Sequence, residues 1–344
     1  MRVASTTLRA ASMQPVGRAQ SRLADAQTEM ATGRLADPGR ALGARSARHA
    51  ALDGAIAEAR AAREGLDLGR AQMDATQVAL GGMAGVADGL VGALTTALAT
   101  PTDATLRLAA DDAKGQRAVL VTHANARLGG VSLLGGTRTD APPLADPTDP
   151  AARDWVRDAF AARFGHAPDD AASGGIDAPA MRAFLADVRA DFAATGYAAA
   201  WAGDAPDARA MRLGPDERAT VQVTHHDDAV RDLVLASSLA ADLADAPFAA
   251  AAREVVLSEA LSLAGRAQGG VAEAAGRVGL AQERIARAED GSSARLRLAE
   301  AARDDLIGVD GLDAAARVSA LATAIEASLT VTARIERLSL VNYL

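Results

Sequence analysis

His225-His226-Asp227-Asp228 is the densest group of potential metal ligands in the 344-residue chain. Neighbouring side chains on an extended strand point to opposite faces, so the two histidines cannot share one ion. Neither a His-Glu-x-x-His spacing nor a third histidine lies nearby. Asp227 and Asp228 fit better as the N-cap and first-turn acid of a helix through Leu233. His49, His123 and His166 are isolated and read as surface residues. The glycine pairs Gly129-Gly130 and Gly135-Gly136 lack the Gly-Lys-Ser/Thr of a phosphate loop and lie between a helix and a proline-rich stretch. Asp111-Asp112 and Asp304-Asp305 diverge by roughly 100° on their helices, which is poor for shared acid–base work. No nucleophile elbow occurs, and with no cysteine a thiol nucleophile, thiolate metal site or disulfide is excluded. No catalytic, cofactor-binding or metal residue is assigned, and no enzyme is expected.

What must be positioned, then, is surface rather than chemistry. Hydrophobic residues make up 49% of the chain but aromatics only 3%, with alanine at about a quarter of all positions. Such a composition suits long helices with thin seams more than one bulky core. The net charge of -8 disfavours nucleic acid and anionic membrane surfaces as partners. There is no run of 18 consecutive apolar residues, so no membrane span is expected, and residues 1–17 have no apolar region of a cleaved secretory signal.

Apolar residues at Val16, Leu23 and Met30 fall seven apart, with Ala19 and Ala26 between them, as in a short heptad seam. Gly33, Pro38, Gly39 and Gly43 break it. A longer seam follows through Leu52, Ile56, Ala59, Leu66, Met73, Leu80, Ala84, Ala87, Val91, Leu94 and Leu98. Some fifty helical residues would reach roughly 75 Å. Pro101-Thr102-Asp103 marks a stop and a new cap. The period changes at Leu128, predicting a glycine-turned hairpin near 129–139, and Pro142, Pro143, Pro147 and Pro150 read as a linker. Residues 151–225 hold most of the aromatics and a strand at 220–224, predicting a small inserted α/β domain. Helical pattern returns at Asp228, Gly291-Ser292-Ser293 is expected to interrupt it, and the last helix repeats Val318, Leu321, Ile325, Ser328, Thr332 and Ile335, flanked by Leu329 and Leu338.

The expected fold is mainly α. Long heptad-patterned helices from both termini form a coiled-coil or helical-bundle rod, with the α/β insert between them. Neither terminal seam can be buried alone, so the two are expected to pair. The predicted divisions are 1–45 with 300–344 as a terminal coiled-coil region, 46–145 with 228–299 as the helical rod, and 151–225 as the insert. The assembly seam is assigned to Val16, Leu23, Met30, Val318, Leu321, Ile325, Leu329 and Ile335.

Three stretches carry a family resemblance. The ending from Ala327 to Leu344, with Leu338-Ser339-Leu340 and Tyr343-Leu344, resembles the C-terminus of the bacterial flagellin family, most of all its hook–filament junction branch (hook-associated protein 3). Gly136-Thr137-Arg138-Thr139-Asp140-Ala141-Pro142-Pro143-Leu144 is similar to that branch's Gly-Thr-Lys-Thr-Asp-x-Pro-Pro-Phe stretch. Thr32-Gly33-Arg34 sits where the family has its Ser/Thr-Gly-Lys/Arg turn. The resemblance covers roughly 1–145 and 230–344. After the turn this chain has Leu35-Ala36-Asp37-Pro38-Gly39 where many members have Pro-Ser-Asp-Asp-Pro or Ala-Ala-Asp-Asp-Ala, a departure that counts more against a filament flagellin than against a junction protein.

The resemblance implies an extracellular structural protein of the flagellum, exported unfolded without a cleaved signal through the flagellar export machinery, with an export chaperone. It implies self-assembly into a ring or helical layer, with another hook-associated protein on one side and flagellin on the other, and no cofactor. A filament-forming flagellin is the alternative within the class. An exported coiled-coil effector or scaffold, and an enzyme built on 151–225, are the alternatives outside it.

Overall fold

The computed structural model describes residues 2–212, 218–221 and 223–341, and 79% of these residues are helical. It divides into two compact units, residues 1–63 with 290–344 and residues 64–289.

In the first unit, α1 (Arg2–Thr32) packs along α10 (Gly311–Val341), so the expected pairing of the terminal helices is present. Helix α1 stops where Gly33 adopts φ 67°, and the Gly33 N–H donates to the Glu29 carbonyl at 2.8 Å. That left-handed cap is a conformation glycine enters without steric cost. A short helix α2 (Pro38–Leu42) follows, with Pro38 at its first turn and Asp37 accepting from the Arg40 N–H. Helices α3 (Ser46–Ala99) and α9 (Ala250–Ile307) contribute their first and last turns to this unit. Ile56 and Ala59 of α3 are buried against Leu296 of α9.

The break expected at Gly291-Ser292-Ser293 does not occur, and α9 runs unbroken through it. Ser292 is buried, and its hydroxyl donates across to the Ala59 carbonyl at 3.1 Å. A small side chain there lets two helices approach, and tertiary packing outweighs a propensity loss of about 1 kcal/mol or less per residue. The break lies later, at 308–310. There Gly308 closes α9 and Asp310 caps α10 by accepting from the Leu312 N–H at 2.8 Å.

The second unit is built on the rest of α3 and α9. Leu66, Met73, Leu80, Ala87 and Leu94 are buried at seven-residue intervals on α3, as are Leu257, Ala264, Val271, Val278 and Ile285 on α9. Such spacing is that of a coiled-coil seam. The antiparallel pairing is pinned by Arg70–Glu289 at 3.1 Å, Asp74–Gln282 at 2.7 Å and Asp88–Gln268 at 2.6 Å. Helix α4 (Asp103–Ala124) begins at a Thr102 cap whose hydroxyl and that of Thr105 satisfy each other's backbone N–H, the capping-box arrangement. It packs on α8 (Asp228–Leu243), which is buried along most of its length.

Between α4 and α8 lie two hairpins and a helical insert. Strands β1 (Arg127–Leu128) and β2 (Val131–Ser132) flank Gly129 and Gly130, both with positive φ, as a tight hairpin turn requires. This hairpin starts two residues before the expected 129–139 and ends at Ser132, because Gly135-Gly136 forms a separate turn in which the Arg138 N–H donates to Gly135. The proline stretch is no free linker. The Asn125 side-chain amide clamps Leu144 with two 2.8 Å hydrogen bonds, one to its carbonyl and one from its N–H, and Pro143 is buried.

Helices α5 (Pro150–Arg153), α6 (Trp155–Phe164) and α7 (Ala178–Asp191) are followed by the π-helical turns Phe192–Gly196 and Ala198–Ala202 and by the antiparallel hairpin of β3 (Arg209–Arg212) and β4 (Arg218–Val221). The strand expected at 220–224 meets β4 only at 220–221; residue 222 lies outside the described residues and 223–224 are not strand. Residues 151–225 are continuous with the unit's core: Phe160 meets Phe184 at 5.4 Å and Phe248, just before α9, at 5.7 Å. Alternating aromatic and aliphatic contacts of this kind bind the insert to the rod rather than leaving it a separate body.

One ion pair is buried in this core. Arg117 of α4 lies 3.6 Å from Asp242 of α8, with both side chains more than nine-tenths buried and the guanidinium 6.0 Å from the centre of the Trp201 ring. Burial pushes the Asp242 carboxyl up to about 6 although Arg117 opposes the shift.

Two helical stretches are long and apolar enough to cross a membrane by length and composition, Pro38–Ala99 and Gly311–Arg334. The expectation of none rested on unbroken apolar runs, whereas alanine raises mean hydropathy without forming one.

Candidate assembly surface

The terminal unit carries most of the residues singled out in the sequence. Val16 and Ala26 of α1 are buried, as are Ala314 and Ile325 of α10. Leu23, Val318 and Leu321 are half-buried. Met30 and Leu329 are each 46% exposed. Residues 335–340 continue α10, but the side chains of Ile335, Leu338, Ser339 and Leu340, and all of Tyr343 and Leu344, lie outside the described residues.

Helix α10 is apolar beyond what α1 covers. Its most apolar stretch has a mean hydropathy of 1.2, yet only 6% of the residues in it are buried. Leu312 is 82% and Val331 55% exposed. Helices that are apolar around their circumference ordinarily lie inside something, so this surface has the character of half an interface.

The base of α1 is joined to the base of α10 by backbone. The Leu35 N–H donates to the Ile307 carbonyl at 2.8 Å and the Val309 N–H to the Gly33 carbonyl at 2.9 Å, setting Arg34 opposite Gly308. Arg34 also pairs with Asp304 at 2.9 Å. Thr32 donates to the Thr28 carbonyl at 2.7 Å, and its hydroxyl accepts from the Arg34 N–H. The Thr32-Gly33-Arg34 turn is therefore a splice between the two chain ends.

Sequence reasoning missed three parts of that splice: Glu29, Gly308 and Arg317. Glu29 is buried and accepts from both the Arg317 guanidinium at 2.9 Å and the Ala36 N–H at 3.4 Å. A Cβ on Gly308 would come 2.6 Å from the Asp304 carbonyl oxygen. The signal available was the run Gly308-Val309-Asp310-Gly311, a turn composition inside a helical pattern. A groove of about 630 Å³ opens beside this splice, lined by residues including Leu35, Val309, Asp313 and Arg317.

The second motif segment sits in the central unit. Gly136 has φ 58°, and a Cβ there would collide with the Asp207 carbonyl. The Thr137 N–H donates to that same carbonyl at 3.0 Å. Arg138 donates to the carbonyls of Ala202 and Asp204. The Thr139 and Asp140 carbonyls both accept from Arg127. Pro142 is exposed, unlike Pro143. This motif braces the chain leaving the insert.

The histidine pair has no metal-like geometry. Nδ1 of His225 donates to the Leu134 carbonyl at 2.8 Å, while Nε2 of His226 donates to the Gly203 carbonyl at 3.0 Å. Asp227 caps α8 by position, but its carboxylate binds Arg277 of α9 at 2.6 Å rather than the helix's own N–H groups. Among the described residues no group of three His, Cys, Asp or Glu side chains could hold a metal ion. His49, His123 and His166 are half-buried rather than exposed; His49 pairs with Asp53, and His166 packs against Phe160.

Residues 261–344, covering most of α9 and all of α10, match the bacterial flagellin C-terminal helical region. Among curated proteins, none matches the sequence. The fold is similar to a solved structure described as a flagellar hook-associated protein from Vibrio parahaemolyticus, with a TM-score of 0.54 and 10% identity over 76% of this chain and 97% of that one. At that identity the likeness is one of fold. The matched region is that of a structural, non-enzymatic family.

Proposed function

We propose that this chain is a structural component of the bacterial flagellum and joins hook to filament by self-assembly through its terminal helices. The observation that carries the reading is the coincidence of two facts at one place. The flagellin match takes in all of α10 together with most of α9, and α10 keeps Leu312, Leu329 and Val331 exposed although Ala314 and Ile325 are buried. Burying about 100 Å² of such surface is worth about 2.5 kcal/mol, so neighbouring subunits around α10 would supply a substantial driving force. Contacts between unlike faces of identical subunits close into rings or extend into helical layers. On this reading the assembly seam comprises Val16, Leu23, Met30, Val318, Leu321, Ile325, Leu329 and Ile335. Its neighbours are a further hook-associated protein and flagellin. The subunit leaves the cell through the flagellar export machinery, attended by an export chaperone, and resides outside the cell.

Deletion of the gene tests this, with electron microscopy of the cells and an assay of the medium for flagellin. Hooks without filaments, with flagellin shed into the medium, are the expected result. Bare hooks with no shed flagellin would identify the filament subunit instead. Complete filaments with normal motility would overturn both the junction role and a sole-flagellin role.

A further inference from the structure

We propose that His225 is an acid-sensitive latch at the root of the insert, holding the chain that leaves 151–225 against the Leu133–Gly136 turn while its imidazole is neutral, and releasing it when Nε2 takes a proton.

The geometry is that of a bolt. His225 is 1% exposed. Its backbone N–H and its Nδ1 both donate to a single acceptor, the Leu134 carbonyl, at 3.0 and 2.8 Å. That bond fixes the neutral tautomer with its proton on Nδ1 and the lone pair on Nε2. Nε2 is buried with no hydrogen-bond partner among the described residues. The His225 carbonyl in turn accepts from the Tyr197 hydroxyl of the second π-helical turn's approach, and Tyr197 is itself buried. One residue on, His226 holds Gly203. The exit of the insert is thereby fastened on two sides by consecutive residues.

The charged and titratable groups around this point favour the neutral ring. Arg138, from the Gly135–Pro143 stretch, acts on both rings; Arg231 of α8 and Asp204 after the π-helical turns act on His226 in opposite directions, and Arg277 of α9 pairs with Asp227 at the head of α8, while buried Tyr197 stays protonated. Burial is the largest influence on His225 and lowers its proton affinity; it outweighs the Leu134 and Ala202 carbonyls, which raise it, and His226 and Arg138 add to the lowering. The folded value thus lies below that of the unfolded chain. The contribution of the latch is complete above the unfolded value of about 6.5 and declines as pH falls below it. A proton added to Nε2 places a charge in a dry site that the Leu134 and Ala202 carbonyls offset only in part, which favours the open arrangement in which the imidazolium reaches water.

Hydrogen exchange followed residue by residue on the full chain tests this. After correction for intrinsic rates, protection of the Thr137, Gly203 and His225 amides should fall by up to about tenfold per pH unit below 6.5, while the α4 and α8 amides keep theirs. His225→Asn preserves a donor to the Leu134 carbonyl without a titrating group, and should hold protection constant; His226→Asn should leave the decline in place. Unchanged protection of the three amides in the wild-type chain down to pH 5 would overturn the latch, as would an equal decline in His225→Asn. If that variant fails to fold, the imidazole carbon shifts of wild-type His225 decide. Titration at or above 6.5 in the folded state overturns the proposal; a value below it, moving together with the amide opening, upholds it.

Discussion

Arg317 of α10 reaches back to Glu29 of α1 at 2.9 Å, and the same carboxylate accepts from the Ala36 backbone beyond the turn. One buried side chain thus ties the end of the first helix, the chain reversal after it and the start of the last helix. Replacing Glu29 with Ala leaves the Ala36 N–H and the guanidinium without that acceptor. A charge-assisted bond of this kind is worth about 1.5–3 kcal/mol, reduced here because Arg317 is half in water. Glu29→Ala should destabilise the terminal unit by about 1–2 kcal/mol, read as a drop in its urea midpoint, with the central unit unaffected.

The two glycines of the splice should respond unequally. Gly33→Ala forces a left-handed backbone on a residue with a Cβ, at about 1–2 kcal/mol, but meets open space. Gly308→Ala meets the Asp304 carbonyl oxygen at 2.6 Å, so the helix end must shift. Thermal unfolding should place Gly308→Ala below Gly33→Ala, and an equal loss in the two would contradict the collision.

Ile325 and Leu329 lie on one helix but in different surroundings, buried and 46% exposed. Ile325→Asp buries a carboxylate and should cost the terminal unit at least about 2 kcal/mol, visible as lost helicity in the free subunit. Leu329→Asp should leave the helicity of the free subunit unchanged and still prevent its incorporation into flagella. Normal incorporation of Leu329→Asp would remove Leu329 from the seam.

Asp242 gives the central unit a pH dependence opposite in sign to that of His225. Its folded value of about 6 lies above the unfolded 3.8, so the folded state takes up the proton first as pH falls. This contribution to stability is greatest below about pH 4 and is lost as pH rises through 6, on the order of 3 kcal/mol in all. Asp242→Asn should flatten that slope in urea titrations between pH 4 and 6; an unchanged slope would mean that the carboxyl titrates normally.

Periodicity was a reliable guide where long seams repeat a motif many times. The α3 seam, the stop at Gly33 and the Thr102 cap follow from local pattern, and the pairing of α1 with α10 follows from two seams that need cover. Local composition misled where a distant residue decides. Ser292 looks like a break until the Ala59 carbonyl is brought to its hydroxyl. Pro142-Pro143 looks like a linker until Asn125 clamps Leu144, nineteen positions along the chain. His225 stands in the densest group of potential metal ligands, and its actual partner, Leu134, is ninety-one positions away. The Glu29–Arg317 contact was invisible for the same reason.

The uncovered apolar surface of α10 also bears on how much of this protein can exist as separate molecules. Each free subunit in water would carry an interfacial tension along that helix. Raising its concentration would then not enlarge the dissolved pool without limit; past a threshold, added material would pass into polymer or precipitate. Supply to a growing structure would accordingly be governed by a saturation concentration, and anything that shields α10 before assembly would act by raising that threshold.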